Sequence, residues 1–188
     1  MRDIALMGRA RSGKDTVGAR LEARYNYVPL AFADPLKDTV LEIDPWVVYD
    51  LGEFGGKQSI RLSDLIEHVG WERAKDEYYE VRRLLQSTGQ SIRDRDPDYW
   101  LRLMLSRVDT ARNLGRPVVL TDVRYPNEAD ALKRLGFRLV RVERPSLGPL
   151  PPFSHQSERS LIDYSPAVTI VNSGTLADLQ ALADSIAF

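Results

Sequence analysis

The sequence predicts an α/β fold, a parallel sheet covered by helices on both faces, and three observations predict it. A short apolar run, Asp3 to Met7, ends at Gly8 and leads into helical spacing from Asp15 to Tyr25, the strand, loop and helix that open such folds. Further apolar runs alternate with helix-period segments along the chain, as parallel pairing requires, because each strand needs a crossover to bring the chain back. The 188 residues are 43% hydrophobic and 28% charged, enough for one sizeable core and too few for two independent domains. Residues 1–188 are therefore expected to form a single domain.

Taken in order, the second strand is expected over Tyr27–Phe32, a fully buried third over Pro117–Thr121, and two more over Phe137–Val142 and Ala167–Val171. Val17, Leu21 and the Ala19/Ala23 pair give the first helix its inward stripe. Helical patterns follow at Asp34–Leu41, Leu84–Arg95, Tyr99–Asn113, Asn127–Leu135 and Leu176–Ala187. Trp100, opening an amphipathic helix, is expected in the core. Two stretches break the alternation. Asp44 to Arg83 is rich in charge and aromatics and reads as an insertion that shapes a substrate site; Arg144 to Pro166, rich in Pro, Ser and Gly, reads as a mobile flap.

Composition excludes several functions. With 26 basic and 27 acidic residues and a net charge of −1, no surface-wide attraction to nucleic acid is expected. The absence of cysteine removes thiolate catalysis, disulfides and cysteine-bound zinc. His68 and His155 are too few and too distant to make a metal cage. No apolar run approaches the roughly 20 residues that span a bilayer, and the apolar stretch before Gly8 is too short for a signal peptide. The expected location is the cytoplasm, with no membrane partner.

Gly8-Arg9-Ala10-Arg11-Ser12-Gly13-Lys14 matches the G-x-x-x-x-G-K phosphate loop, and it lies between a predicted strand and a predicted helix, as that loop must. The glycines let the backbone wrap phosphate closely, the N–H groups and helix N-terminus supply positive potential, and Lys14 adds a point charge. Asp15 stands where a Ser or Thr usually reaches Mg²⁺, and the hydroxyl comes one place later at Thr16. Asp15 either holds the ion, directly or through water, or stabilises the helix N-terminus. Val118 to Asp122 is an apolar strand ending in an acid, the pattern of a second Mg²⁺ carboxylate, and Arg124 follows at the sheet edge where ligands of open α/β folds bind. Lys14, Asp122 and Arg124 are thus the candidate catalytic residues, with a nucleoside triphosphate and Mg²⁺ as cofactors. Arg9, Arg11, Lys14, Lys37, Arg93 and Arg124 make the candidate segments basic. That favours an acceptor that is itself a phosphate, which is largely deprotonated at neutral pH and needs no general base.

Joined to Phe32-Ala33-Asp34-Pro35-Leu36-Lys37, the loop resembles that of the bacteriophage deoxynucleoside monophosphate kinases, relatives of the adenylate-kinase-like P-loop kinases. Residues 85–93, 96–100, 121–129, 155–158 and 172–176 resemble family blocks in family order, whereas residues 44–83 match none. The Gly-Lys-Asp-Thr ending of the loop is similar to the family's own version. The resemblance implies a P-loop kinase fold with a five-stranded parallel sheet, an acceptor-binding insertion over about residues 34–95 and a short lid over about residues 144–166. It implies transfer of the ATP γ-phosphoryl to a deoxynucleotide, and a homodimer.

Carried over by residue, Gly8, Arg9, Arg11, Ser12, Gly13, Lys14, Asp15 and Thr16 would hold ATP, with Asp15, Thr16 and Asp122 toward Mg²⁺. Lys37 and Arg93 would meet the acceptor phosphate, with Asp34 and Gly89 beside them and Gln86 near the base or sugar. Arg124 would bridge the two nucleotides' phosphates. His155, Ser157 and Glu158 would belong to the lid. Phe32 either stacks on the base or simply ends its strand in the core; Gln86 and Gly89 either touch nucleotide or end one helix and open the next. The same loop also serves kinases of other phosphorylated metabolites. A GTPase-like switch is disfavoured, because no Asn-Lys-x-Asp block is present and no Asp-x-x-Gly follows the loop.

Overall fold

The computed structural model describes residues 1–50 and 55–188. In chain order the elements are β1 (Ile4–Met7), α1 (Lys14–Tyr25), β2 (Val28–Leu30), α2 (Ala33–Ile43), β3 (Trp46–Asp50), β4 (Lys57–Arg61), α3 (Leu62–Glu77), α4 (Tyr79–Arg95) and α5 (Tyr99–Asn113), then β5 (Val118–Val123), α6 (Pro126–Arg134), β6 (Arg138–Glu143), a 3-10 turn (Pro145–Leu147), α7 (Gln156–Arg159), β7 (Val168–Val171) and α8 (Leu176–Ile186). They gather into two compact units, Met1–Phe32 with Leu101–Phe188, and Ala33–Trp100.

The first unit holds a five-stranded sheet in the order β2-β5-β1-β6-β7, with every neighbouring pair parallel. The central strand β1 pairs Ile4 with Val119 on one side and with Arg138 on the other, and all four of its residues are buried. A strand covered on both faces must read as a continuous apolar run, and this one does. Ile4 and Leu6 pack with Val17 and Leu21 of α1 and with Leu179 and Ala183 of α8 in one cluster. Ala5 and Met7 turn to the opposite face; Met104 and Val108 of α5 and Leu132 of α6 are buried as well. Asp3 ties the bottom of the sheet together: one carboxylate oxygen accepts from the Val118 N–H at 2.7 Å and the other from Arg112 Nε at 2.8 Å. No helix among the described residues is long and apolar enough to cross a membrane.

The second unit is built from α2, the antiparallel hairpin β3–β4, α3 and α4 around Val40, Val47, Leu62, Leu65, Ala74 and Val81. The segment 44–83 therefore carries a hairpin, a long helix interrupted at Gly70 (φ 73°, ψ 164°) and the first turn of another; its residues 51–54 lie outside the described residues. Helix α4 begins at Tyr79 rather than Leu84, since Val81 is its one fully buried residue and gave no periodic signal. It also runs unbroken through Gln86 and Gly89, which corrects the reading of these two as a helix boundary. Gly89 is there for space: a Cβ on it would lie 3.1 Å from Leu36 Cδ2 of α2. Trp100 is 2% exposed and donates Nε1–H to the Gly89 carbonyl at 3.2 Å, a core residue as expected.

Candidate active site

The phosphate loop leaves β1 at Gly8 and enters α1 at Lys14. Its course depends on backbone conformations closed to most side chains. Gly8 has φ 143°, and a Cβ there would meet the Val142 carbonyl oxygen at 2.4 Å; Gly13 has φ 109°, and a Cβ there would meet Asn172 Nδ2 at 2.8 Å. The loop is thus wedged between the ends of β6 and β7. Asn172, directly after β7, holds it by donating Nδ2–H to the Ser12 carbonyl at 2.9 Å.

Lys14 is 5% exposed, and its Nζ donates to the carbonyls of Gly8 at 2.9 Å and Arg9 at 2.7 Å. Burial, followed by the neighbouring Arg124 charge, lowers its pKa to about 8, against the opposing pull of Asp15, Glu158 and Asp122. Beside it, Ser12 Oγ is buried with no hydrogen-bond partner, alone in this among the buried side-chain N and O atoms of the described residues. A buried hydroxyl left in this state costs free energy. A phosphate oxygen in the loop would satisfy it, so the residues present fit the nucleotide that the loop motif implies.

Arg124 lies just past the end of β5. Its backbone is fixed by Glu128, fully buried, whose Oε2 accepts from the N–H of Arg124 at 2.9 Å and of Tyr125 at 3.1 Å. Its guanidinium pairs with Glu158. The other Glu158 oxygen accepts from the Ala10 N–H of the loop at 2.9 Å. Burial alone would raise the pKa of Glu158, but the Arg124 charge, the Ala10 N–H and Lys14 overcome it and hold the carboxyl below its usual range. His155 precedes α7 and accepts from the Ser157 N–H at Nδ1, 3.2 Å away, which starts the short helix that carries Glu158.

Between Arg9 and Ser12 of the loop, Arg124, and the segment from Glu143 to Ile162 lies a cavity of about 580 Å³. Three arginines anchor its roof: Arg9 donates to the Gly148 carbonyl, Arg144 to the Arg11 carbonyl, and Arg141 to the carbonyls of Ile162 and Leu161 at 2.8 Å each.

Of the residues expected toward the metal, Asp15 is exposed in the first turn of α1, after an N-cap glycine that makes no side-chain cap, and Thr16 is half-buried. Asp122 is half-buried on β5, and its Oδ1 accepts from the Phe32 N–H at 2.7 Å. No cluster of three or more His, Cys, Asp or Glu suited to a metal occurs among the described residues. Phe32 is 6% exposed.

The remaining acceptor candidates lie in the second unit. Lys37 Nζ is 3.7 Å from Asp34 and 5.8 Å from the Trp71 ring centre. Gln86, Gly89 and Arg93 share one stripe of α4 at helical spacing, and Arg93 donates to the Pro97 carbonyl at 3.3 Å.

The reading of the sequence missed Asn172 and Glu128 as supports of the site. Asn172 had a signal, an Asn directly after the last strand; Glu128 had another, Pro126-Asn127-Glu128 in the helix-opening position.

A parallel sheet with a glycine loop on its first strand, a buried lysine in that loop and a facing arginine defines a P-loop kinase. A profile of the deoxynucleotide monophosphate kinase family matches residues 53–182, and the chain belongs to that family. A protein of Acanthamoeba polyphaga mimivirus, provisionally named a deoxynucleotide monophosphate kinase, is 28% identical over 191 residues, covering 95% of this chain and 92% of that protein. The uncharacterised protein ORF76 of Ictalurid herpesvirus 1 (strain Auburn) is 38% identical over 105 residues, 54% of this chain and 43% of its own length. Among solved structures, a sugar kinase from Janibacter sp. HTCC2649 superposes over 98% of this chain and 93% of its own, with a TM-score of 0.50 and 16% identity, a likeness of fold.

Proposed function

We propose that this chain transfers the γ-phosphoryl of ATP to a deoxynucleoside monophosphate, giving the diphosphate and ADP. The observation that carries the reading is the closeness of Lys14 and Arg124: the Arg124 charge is the chief electrostatic cause that depresses Lys14. Two cations held against each other in a largely buried place suit a ligand with several negative charges, and phosphoryl transfer needs cations and alignment more than proton removal.

In this reading the loop from Gly8 to Thr16 holds the donor, with Ser12 Oγ and Lys14 on its phosphates. Mg²⁺, which would arrive with the nucleotide, would supply charge neutralisation, and Asp15, Thr16 and Asp122 would hold it directly or through water. Arg124 spans donor and acceptor phosphates. Lys37 and Arg93 take up the acceptor phosphate group, with Asp34 beside Lys37, while Gln86, Gly89 and Phe32 border the nucleoside.

The test is a panel of acceptors with ATP and Mg²⁺, read as ADP released and labelled product formed. Phosphorylation of one or more deoxynucleoside monophosphates is expected. Turnover with a phosphorylated sugar or isoprenoid and with no nucleotide would overturn the assignment of the acceptor.

A further inference from the structure

Glu158 is a carboxylate among groups arranged for phosphate. One of its oxygens accepts the Ala10 N–H of the loop and the other meets the Arg124 guanidinium, while the charge of Lys14 acts on both. Loop amide, arginine and lysine are the three kinds of donor with which such a site grips a phosphate oxygen. The carrier of Glu158 is the four-residue helix α7, started by His155 and roofing the 580 Å³ cavity, so the carboxylate reaches the loop from a part of the chain almost 150 residues downstream.

We propose that Glu158 fills the phosphate seat in place of nucleotide, and that the Glu158 carboxylate and the donor's phosphates exclude one another there. The inference rests on the donor-site assignment above. Two anions cannot share one amide and one guanidinium in a partly buried place, because their repulsion is weakly screened. Nucleotide must therefore detach Glu158 from Ala10 and Arg124. The exchange has a second effect: Arg124 is held ready by a carboxylate and released to a phosphate, so it is never an unpaired cation in the cavity. It also loosens one tie between the 156–159 helix and the loop at the moment donor binds.

The probe is inorganic tripolyphosphate, which reports on the seat with no acceptor present, measured by calorimetry on Glu158→Gln and Glu158→Ala alongside the unaltered chain, with melting midpoints for all three. Both variants should bind tripolyphosphate about fivefold or more tightly than the unaltered chain, since the competing state is removed. Added formate should weaken binding to Glu158→Ala by refilling the vacated seat, and should leave the unaltered chain little changed. Equal or weaker binding by both variants, at unaltered melting midpoints, would overturn the proposal and assign Glu158 to support of the loop or direct help to the nucleotide. A chain that phosphorylates no deoxynucleotide would overturn the acceptor assignment and leave this comparison standing, so the two failures are separable.

Discussion

Lys14 carries its charge where the folded chain opposes it. Its pKa falls from 10.5 to about 8 on folding, so between those values the unfolded chain binds the proton that the folded chain has lost, and stability rises with pH across that window. Below about pH 8 the lysine is charged in both states and the full cost is present. Lys14→Met should therefore stabilise the protein without nucleotide at pH 7, by about 3 kcal/mol at most, with the gain shrinking as pH rises from about 8 and gone above 10.5; denaturant midpoints of both proteins over that range check it. The same variant should abolish phosphoryl transfer, and near-normal turnover would refute the donor site. Arg124→Ala should lower kcat by roughly 10²–10³-fold with a smaller change in KM if its charge acts on the transition state. A rise in KM alone would move it to ground-state binding. The loop residues were legible in the sequence because their chemistry demands glycines and a lysine in unbroken succession. Asn172 and Glu128 each carried a local cue but were not singled out, because Asn172 acts on a carbonyl 160 residues earlier and Glu128 on backbone N–H groups, so neither has a side-chain partner that the sequence could pair with it.

At the scale of elements, the strands of the first unit declared themselves because parallel strands buried on both faces must be apolar throughout. The hairpin β3–β4 did not. In β3 Val47 is buried and Tyr49 half-buried between exposed neighbours, but Trp46 to Tyr49 is apolar on both faces, and β4 has only Ile60 half-buried, so the sequence shows almost none of the alternation that marks a strand. Helix α4 was legible from Leu84 on, where Leu84, Leu85 and Ile92 repeat, and hidden in its first turn. Its passage through Gly89 gives a prediction that belongs to the helix pair: Gly89→Val should destabilise the second unit by roughly 1–3 kcal/mol, because the added methyls press on Leu36 where even one carbon would be tight. Hydrogen exchange should register the loss within residues 33–100 first. Equal loss of protection across the sheet would show that the two units open as one.

For the molecule as a whole, the division into two compact units separates the donor loop, in Met1–Phe32 with Leu101–Phe188, from Lys37 and Arg93, in Ala33–Trp100. If the acceptor assignment is right, Lys37→Ala should raise KM for the deoxynucleotide tenfold or more, the order of a lost charged hydrogen bond, with ATP affinity unaltered by direct titration. Weakened ATP binding in that variant would contradict it. Class and fold were legible from seven contiguous residues and an alternating pattern; the internal order of residues 44–83 was not, since nothing in its periodicity distinguishes a hairpin and a broken helix from a loop. One consequence follows from the contact between Asn172 and Ser12. The phosphate loop is synthesised 160 residues before its brace Asn172, and before the α8 residue Leu179 that packs beside Gly13. While the ribosome is still adding the sheet's final strand, the nascent chain already displays every phosphate-gripping residue of the loop yet lacks the support that keeps them in register. The loop is thus braced only once β7 and α8 have been made, long after its own motif has left the ribosome.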